Sequence, residues 1–244
     1  MTRTSDVRKP PRRRGRPATV AFAGFDRDAM QFWHELASQM SKEWFDANKQ
    51  RYQSVWVEPM LALLREVARG VARAYKPFAL AEPGVLRIHR DLRFSRDKTP
   101  YKTHIAGIIR FAGNRVADAG IAVLYLHLGP DEEIAGVGCY QFDASRTARW
   151  RRAVVGRPGG ELLKVIARLR RAGHDVGGYE HYARVPAGFA PDHPRAELLK
   201  FKGLVCRFPG IPAGLLHGPE LVPWLLAHAR AAAPLVLWLR RHLR

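Results

Sequence analysis

The spacing of hydrophobic residues changes at Pro83-Gly84, and this change constrains the fold more than any other feature of the chain. Beyond it lie short runs of branched and aromatic residues, separated by Gly, Asn, Pro and Asp, a pattern typical of β-strands and turns. Short connections favour antiparallel pairing, because parallel strands need a crossover of about a dozen residues or more. The sequence therefore predicts a largely antiparallel sheet, with strands at residues 85–90, 104–111, 121–128 and 134–140.

Helical spacing flanks this region on both sides. Ala29, Phe32, Trp33 and Leu36, for example, share one helical face, and Asp26 or Asp28 is placed to cap that helix. Helices are predicted at about 28–38, 42–52, 59–75, 144–155, 160–172, 196–200 and 220–244, with a further strand at 203–208.

The order of helices, then strands, then helices is typical of an α+β fold. We predict a largely antiparallel sheet flanked by N-terminal and C-terminal helices, forming a single domain over residues 19–244. Residues 1–18 are rich in arginine and proline and have few apolar side chains. That composition predicts a disordered basic tail.

The basic character of the chain suggests nucleic acid as a partner, and the tail offers a specific route to it. Arg14-Gly15-Arg16-Pro17 is similar to the core of an AT-hook, which inserts arginines into a narrow minor groove. The formal net charge is +19, but arginine outnumbers lysine 32 to 9, a bias that GC-rich codon usage also produces. Nucleic-acid contact through residues 1–18 and a merely solvated tail therefore both stand as interpretations.

Several kinds of chemistry lack their motifs in this chain. It contains no Walker A loop, no G-x-G-x-x-G turn and no G-x-S-x-G elbow. Two cysteines, Cys139 and Cys206, are too few for a disulfide framework or a zinc ribbon. The start of the chain lacks the apolar run of a signal peptide, and apolar runs such as 121–128 are too short to span a bilayer. We expect a cytoplasmic protein with no metal, cofactor or membrane contact.

The segment 87–102 has the densest pattern of charge between apolar runs, with six cations around two acids. Arginine captures phosphate or carboxylate with two parallel hydrogen bonds, and neighbouring aspartates can hold it in the required orientation. We predict an anion-binding site formed by Arg87, Arg90, Asp91, Arg93, Asp97, Lys98, Tyr101, Lys102 and His104.

Two further groups are placed to support this site. Trp44, Asn48 and Tyr52 recur at helical spacing, with Lys49 beside them. Tyr125 and His127 share one face of a predicted strand, as Lys102 and His104 do where the chain enters the preceding strand.

Several functions are compatible with this pattern. The residues fit a pocket for a small phosphorylated or otherwise anionic ligand, and a histidine or lysine there could move a proton in an enzyme. They equally fit part of a nucleic-acid-binding surface, or a structural Arg–Asp clamp in a non-catalytic interaction protein. The residues alone leave open whether a reaction is catalysed.

The order of residues in this segment resembles a bacterial family of conserved hypothetical proteins, domain of unknown function 2461. The pattern R-x-x-R-D-x-R-F, followed by D-K-x-x-Y, falls here on Arg87, Arg90, Asp91, Arg93, Phe94, Asp97, Lys98 and Tyr101. The resemblance also takes in Phe22-Ala-Gly-Phe25, the Trp44–Tyr52 stretch, Tyr125-x-His127 and Gly136-x-Gly138, over roughly residues 20–210. It implies a domain of about this length and no established activity.

Overall fold

The computed structural model describes residues 21–91, 93, 98–113 and 120–244. The predicted tail, together with Phe94 and Asp97 of the central motif, lies outside the described residues.

The N-terminal part is helical, as the sequence predicts. It comprises α1 (Ala29–Gln39), α2 (Lys42–Tyr52) and α3 (Glu58–Val71), and it ends in a 3₁₀ turn at Ala72–Tyr75. Ser41 begins α2 by accepting a hydrogen bond from the Trp44 backbone N–H at 3.2 Å. A π-helical turn at Gln53–Val57 joins α2 to α3 without a break, and Pro59, which has no backbone N–H to donate to the preceding turn, lies just after it.

The strands within the described residues form one six-stranded sheet in the order β1-β2-β3-β4-β6-β5, and all neighbouring strands are antiparallel. The bounds are β1 (Gly84–Val85), β2 (Ile105–Arg110), β3 (Ala122–Leu128), β4 (Glu133–Cys139), β5 (Asp175–Gly177) and β6 (Leu204–Arg207). The predicted α+β class with an antiparallel sheet is confirmed.

The predicted strand 85–90 is much shorter in the structure. Regular pairing ends at Val85, and the chain continues beside β2 through separate backbone bonds. The Arg90 N–H donates to the Pro100 carbonyl and the Lys102 N–H donates to the Ile88 carbonyl, each at 2.9 Å. This irregular pairing carries the cationic segment alongside the entry to β2.

Four helices lie in the C-terminal half: α4 (Ala144–Val155), α5 (Arg157–Arg171), α6 (Ala196–Leu199) and α7 (Leu221–His242). Pro234 lies inside α7. The helix α7 is long and apolar enough to cross a membrane, but the core helices of globular proteins often meet the same two criteria. Leu225, Ala229 and Leu239 of α7 are fully buried inside the protein.

The two faces of the sheet differ. Ile109, Leu124 and Leu126 are fully buried on the core face, where α3 and α7 pack. A Cβ atom on Gly107 would lie 2.6 Å from the Leu64 Cδ1 of α3, so glycine allows that helix to approach β2 closely. The opposite face, which we call the outer face, carries Ile108 and Tyr125 opposite each other, both partly exposed.

Candidate anion-binding site

Histidines from two strands meet on the outer face. His127 on β3 lies opposite Ala106 on β2, and His104 lies two residues before Ala106. Because side chains alternate between the faces of a strand, both histidines project to the same side. Their rings stack at a centroid distance of 3.9 Å, so the structure brings these two predicted residues into direct contact.

Burial makes both imidazoles hard to protonate. It lowers the pKa of His104 to about 4, with further repulsion from His127, Lys102 and Arg90. Burial likewise lowers the pKa of His127, although Glu132, 3.7 Å from the His127 Nε2, acts in the opposite direction. Both rings are therefore neutral near pH 7 and can donate or accept hydrogen bonds.

Lys102 lies beside the histidines and is partly buried. Burial lowers the pKa of Lys102, and repulsion from Arg87 and Arg90 lowers it further. Within the described residues no carboxylate forms an ion pair with Lys102. The backbone pairing of 88–90 with 100–102 holds these like charges close together.

Arg87, Asp91 and Arg93 form an exposed group at the edge of the cluster. Arg93 donates from Nε and Nη2 to the Asp91 carboxylate at 3.0 and 2.7 Å, and the Arg87 Nη2 lies 3.7 Å from the same carboxylate. These bonds hold the pKa of Asp91 well below its usual range. Asp91 thus holds the Arg93 guanidinium in a fixed orientation, but an ion pair this exposed adds little to stability.

Other predicted residues of the motif lie elsewhere. Asp97 lies outside the described residues, and Lys98 is exposed. Tyr101 faces the core, where it is 3% exposed and stacks on Phe45 of α2 at 4.5 Å. Because neighbouring side chains of an extended segment project to opposite sides, Tyr101 and Lys102 point away from each other. Tyr101 therefore anchors the segment without joining the cationic cluster.

The predicted supporting residues of α2 serve helix packing. Tyr52 is buried and packs against Phe45 at 5.7 Å, and the Asn48 side chain donates to the Trp44 carbonyl of its own helix at 2.9 Å. Lys49 is exposed. Their effect on the cluster is indirect, since Phe45 in turn contacts Tyr101.

Tyr125 does reach the cluster. Its hydroxyl lies 3.4 Å from the His127 Nδ1, and burial raises the pKa of Tyr125. The hydroxyl is therefore protonated at neutral pH and available as a donor.

Sequence reasoning missed two residues of the β3–β4 hairpin that shape this site. Glu132 approaches His127 from the turn. Gly129 leaves room for His104, because a Cβ atom on Gly129 would lie 2.8 Å from the His104 Cβ. The sequence Gly129-Pro130-Asp131 indicates a turn, but the side chains that this turn contacts depend on the register of the neighbouring strands.

The donor set of the site favours anions over metal ions. Throughout the described parts of the chain, no group of three His, Cys, Asp or Glu side chains is arranged to hold a metal ion. The cluster instead joins Arg87, Arg90 and Lys102 to two neutral imidazoles and a tyrosine hydroxyl. Such groups donate hydrogen bonds to phosphate, sulfate or carboxylate oxygens.

Comparison with known proteins places the chain in a family. No curated protein and no solved structure matches it. The family model described as "Conserved hypothetical protein (DUF2461)" matches residues 28–238, which include every helix and strand bearing the candidate site. The resemblance seen in the central motif is thus confirmed over most of the chain, which belongs to the DUF2461 family of conserved hypothetical proteins.

Proposed function

We propose that this protein binds a small phosphorylated or otherwise anionic ligand on the outer face, at the cluster of Arg87, Arg90, Lys102, His104 and His127. The observation that carries the proposal is the position of Lys102. It is partly buried between arginines and a histidine pair, and the described residues offer it no carboxylate. Cations held close together repel one another, and an anion that binds between them replaces this repulsion with attraction.

The magnitudes support an anion of at least one full charge. Two unit charges about 4 Å apart interact by roughly 4 kcal/mol at a protein surface, so an anion among several cations gains more than a hydrogen bond between neutral groups. The backbone bonds from Arg90 and Lys102 fix the chain before the ligand arrives. A fixed site loses less entropy on binding.

Replacing Lys102 by glutamine is expected to weaken anion binding by about tenfold or more, the usual effect of losing a charged hydrogen bond. Isothermal titration calorimetry with inorganic phosphate and sulfate at low salt would measure the loss. Lys164→Gln is the matched control, because Lys164 is exposed on α5. Equal affinities for the two variants would contradict the proposal, as would wild-type protein that binds neither anion.

A second candidate function, binding of single-stranded nucleic acid, is favoured by a different part of the outer face. Tyr140 and Tyr179 are each 55% exposed and their rings lie 4.7 Å apart, with the Arg207 guanidinium 5.6 Å from the Tyr179 ring. Arg207 lies opposite Gly136, which lies opposite Tyr125, so these residues continue the face that carries the histidines. Exposed aromatic rings beside cations on a sheet are typical platforms for stacked bases.

The double replacement of Tyr140 and Tyr179 by alanine tests this candidate. Loss of one stacked base costs roughly 1–3 kcal/mol, so binding of a labelled single-stranded oligonucleotide should weaken by about tenfold or more. Fluorescence anisotropy over a range of salt concentrations would measure it, with exposed Leu163→Ala as the control. The candidate fails if wild type shows no salt-dependent binding, or if the tyrosine variant matches the control.

A further inference from the structure

We propose a second anion site, separate from the histidine cluster, in a cavity between the start of α4 and the end of α7, and we infer that it takes a compact diphosphate. The cavity has a volume of about 260 Å³. Its charged and hydroxyl lining comes from Asp143, Ser145, Arg146, Arg149, Arg240 and Arg244. Four arginines thus face one carboxylate among the described residues that line it.

Arg240 packs against two aromatic rings at the cavity. Its guanidinium lies 5.5 Å from the Phe78 ring and 5.1 Å from the Phe111 ring, and Phe111 is fully buried. Its Nε is buried and has no hydrogen-bond partner among the described residues. The side chain as a whole is partly exposed, and because the two rings hold the guanidinium in place before a ligand arrives, its accessible donors lose little entropy on binding an anion.

The Asp143 carboxylate is already engaged. Asp143 caps α4 by accepting a hydrogen bond from the Arg146 backbone N–H at 2.8 Å, and it pairs with the Arg146 guanidinium at 3.1 Å. One Asp143 side chain cannot neutralise the other three arginines. Burial lowers the pKa of Arg240, and repulsion from Arg244 and Arg146 lowers it further, as expected for cations that face one another.

Arg149 connects the two helices that enclose the cavity. Its Nη1 donates to the Leu243 carbonyl at 3.4 Å, just beyond the end of α7. This contact uses one of the five donors of the guanidinium. The side chain is thereby placed near Arg240 and Arg244 without losing its capacity to bind a further acceptor.

The size of the cavity narrows the class of ligand. Pockets for drug-sized molecules usually measure about 300–1,000 Å³, so this one suits a smaller molecule. Several arginines in a small space favour a ligand with many oxygens and more than one negative charge, because each guanidinium can bind two oxygens. A diphosphate group satisfies both conditions, and inorganic pyrophosphate is the simplest probe of it.

The double variant Arg149→Gln/Arg244→Gln is expected to bind pyrophosphate at least about tenfold more weakly at this site. Both positions are exposed, so the fold should tolerate the changes. Calorimetry is done in a Lys102→Gln background, so that the histidine cluster contributes little. Lys164→Gln/Arg184→Gln, which removes the same charge from exposed positions elsewhere, controls for net charge.

Asp143→Asn provides an independent test by gain of binding. Asparagine caps helices as well as aspartate does, so α4 should persist while the only carboxylate among the described lining residues is lost. Pyrophosphate should bind several-fold more tightly to this variant. The proposal is overturned if the Arg149/Arg244 variant binds as its control does, or if Asp143→Asn leaves the affinity unchanged. Because the Lys102 background is constant, neither outcome depends on whether the histidine cluster binds anions.

Discussion

Replacing Gly138 by alanine is expected to lower the free energy of unfolding by roughly 2–5 kcal/mol, a large share of the stability of a typical domain. Gly138 lies on β4 with φ +123°, a backbone conformation that favours glycine. A Cβ atom there would lie 2.3 Å from the Leu204 carbonyl oxygen and 2.8 Å from the Val205 Cα of β6. Both contacts are with backbone, which cannot rotate away as a side chain can.

Gly177→Ala on β5 is the matched control. A Cβ atom on Gly177 meets no atom of the described residues within 4 Å, so this substitution should change stability by less than about 1 kcal/mol. Urea denaturation followed by circular dichroism compares the two variants. If Gly138→Ala unfolds at the same urea concentration as Gly177→Ala, the close approach of β4 and β6 does not make a side chain at position 138 destabilising, and the prediction is wrong.

Much of the fold could be predicted from the sequence because its elements carry strong local signals. Four apolar residues at helical spacing mark α1, and the short turns between 104 and 140 leave antiparallel pairing as the only geometry of that region. The strand β5 was missed, since only Val176 of its three residues is buried and a single buried residue has no period. The order β4-β6-β5 was likewise inaccessible, because α4, α5 and a long irregular segment separate β6 from β4 along the chain.

The candidate site was partly predictable for a similar reason. Two-residue alternation places Lys102 with His104 and Tyr125 with His127, and in the structure the two histidines stack. Alternation also places Tyr101 on the side away from Lys102. The contact of Tyr101 with Phe45 could not be predicted, because Phe45 lies on a helix more than fifty residues earlier in the chain. The arginine cavity gave no local signal, because Arg149 and Leu243 are 94 residues apart and meet only through helix packing.

Stability is expected to fall as the pH is lowered from about 7.5 to 5, and His104 contributes at most about 2 kcal/mol to that fall, because solvent screens part of the interactions of a partly exposed ring. The pKa of His104 is about 4 in the folded protein, against 6.5 for an unperturbed histidine. A lowered pKa means that the unfolded chain binds the proton more readily. The contribution of His104 is therefore complete above pH 6.5 and is lost progressively as the pH falls toward 4.

Urea denaturation of wild type and His104→Gln across this range measures the contribution. The variant should show a shallower decline than wild type, although His127, His228 and His242, whose pKa values are also lowered by burial, still contribute in the same direction. His34→Gln removes an exposed histidine on α1 and is the control. Parallel curves for wild type and His104→Gln would show that the ring is not held in its neutral form.

The same titration bears directly on the proposed ligand. An anion bound beside Lys102 would stabilise a protonated His104, so the pKa of this ring must rise in the complex and binding must take up protons. Sulfate is the appropriate probe, because it stays doubly charged from about pH 5 to 7.5 whereas phosphate does not. Sulfate should therefore bind more tightly to wild type at the lower pH, and this gain should be much smaller for His104→Gln. If the affinity of wild type for sulfate does not change with pH, the anion binds away from His104, however tightly it is bound.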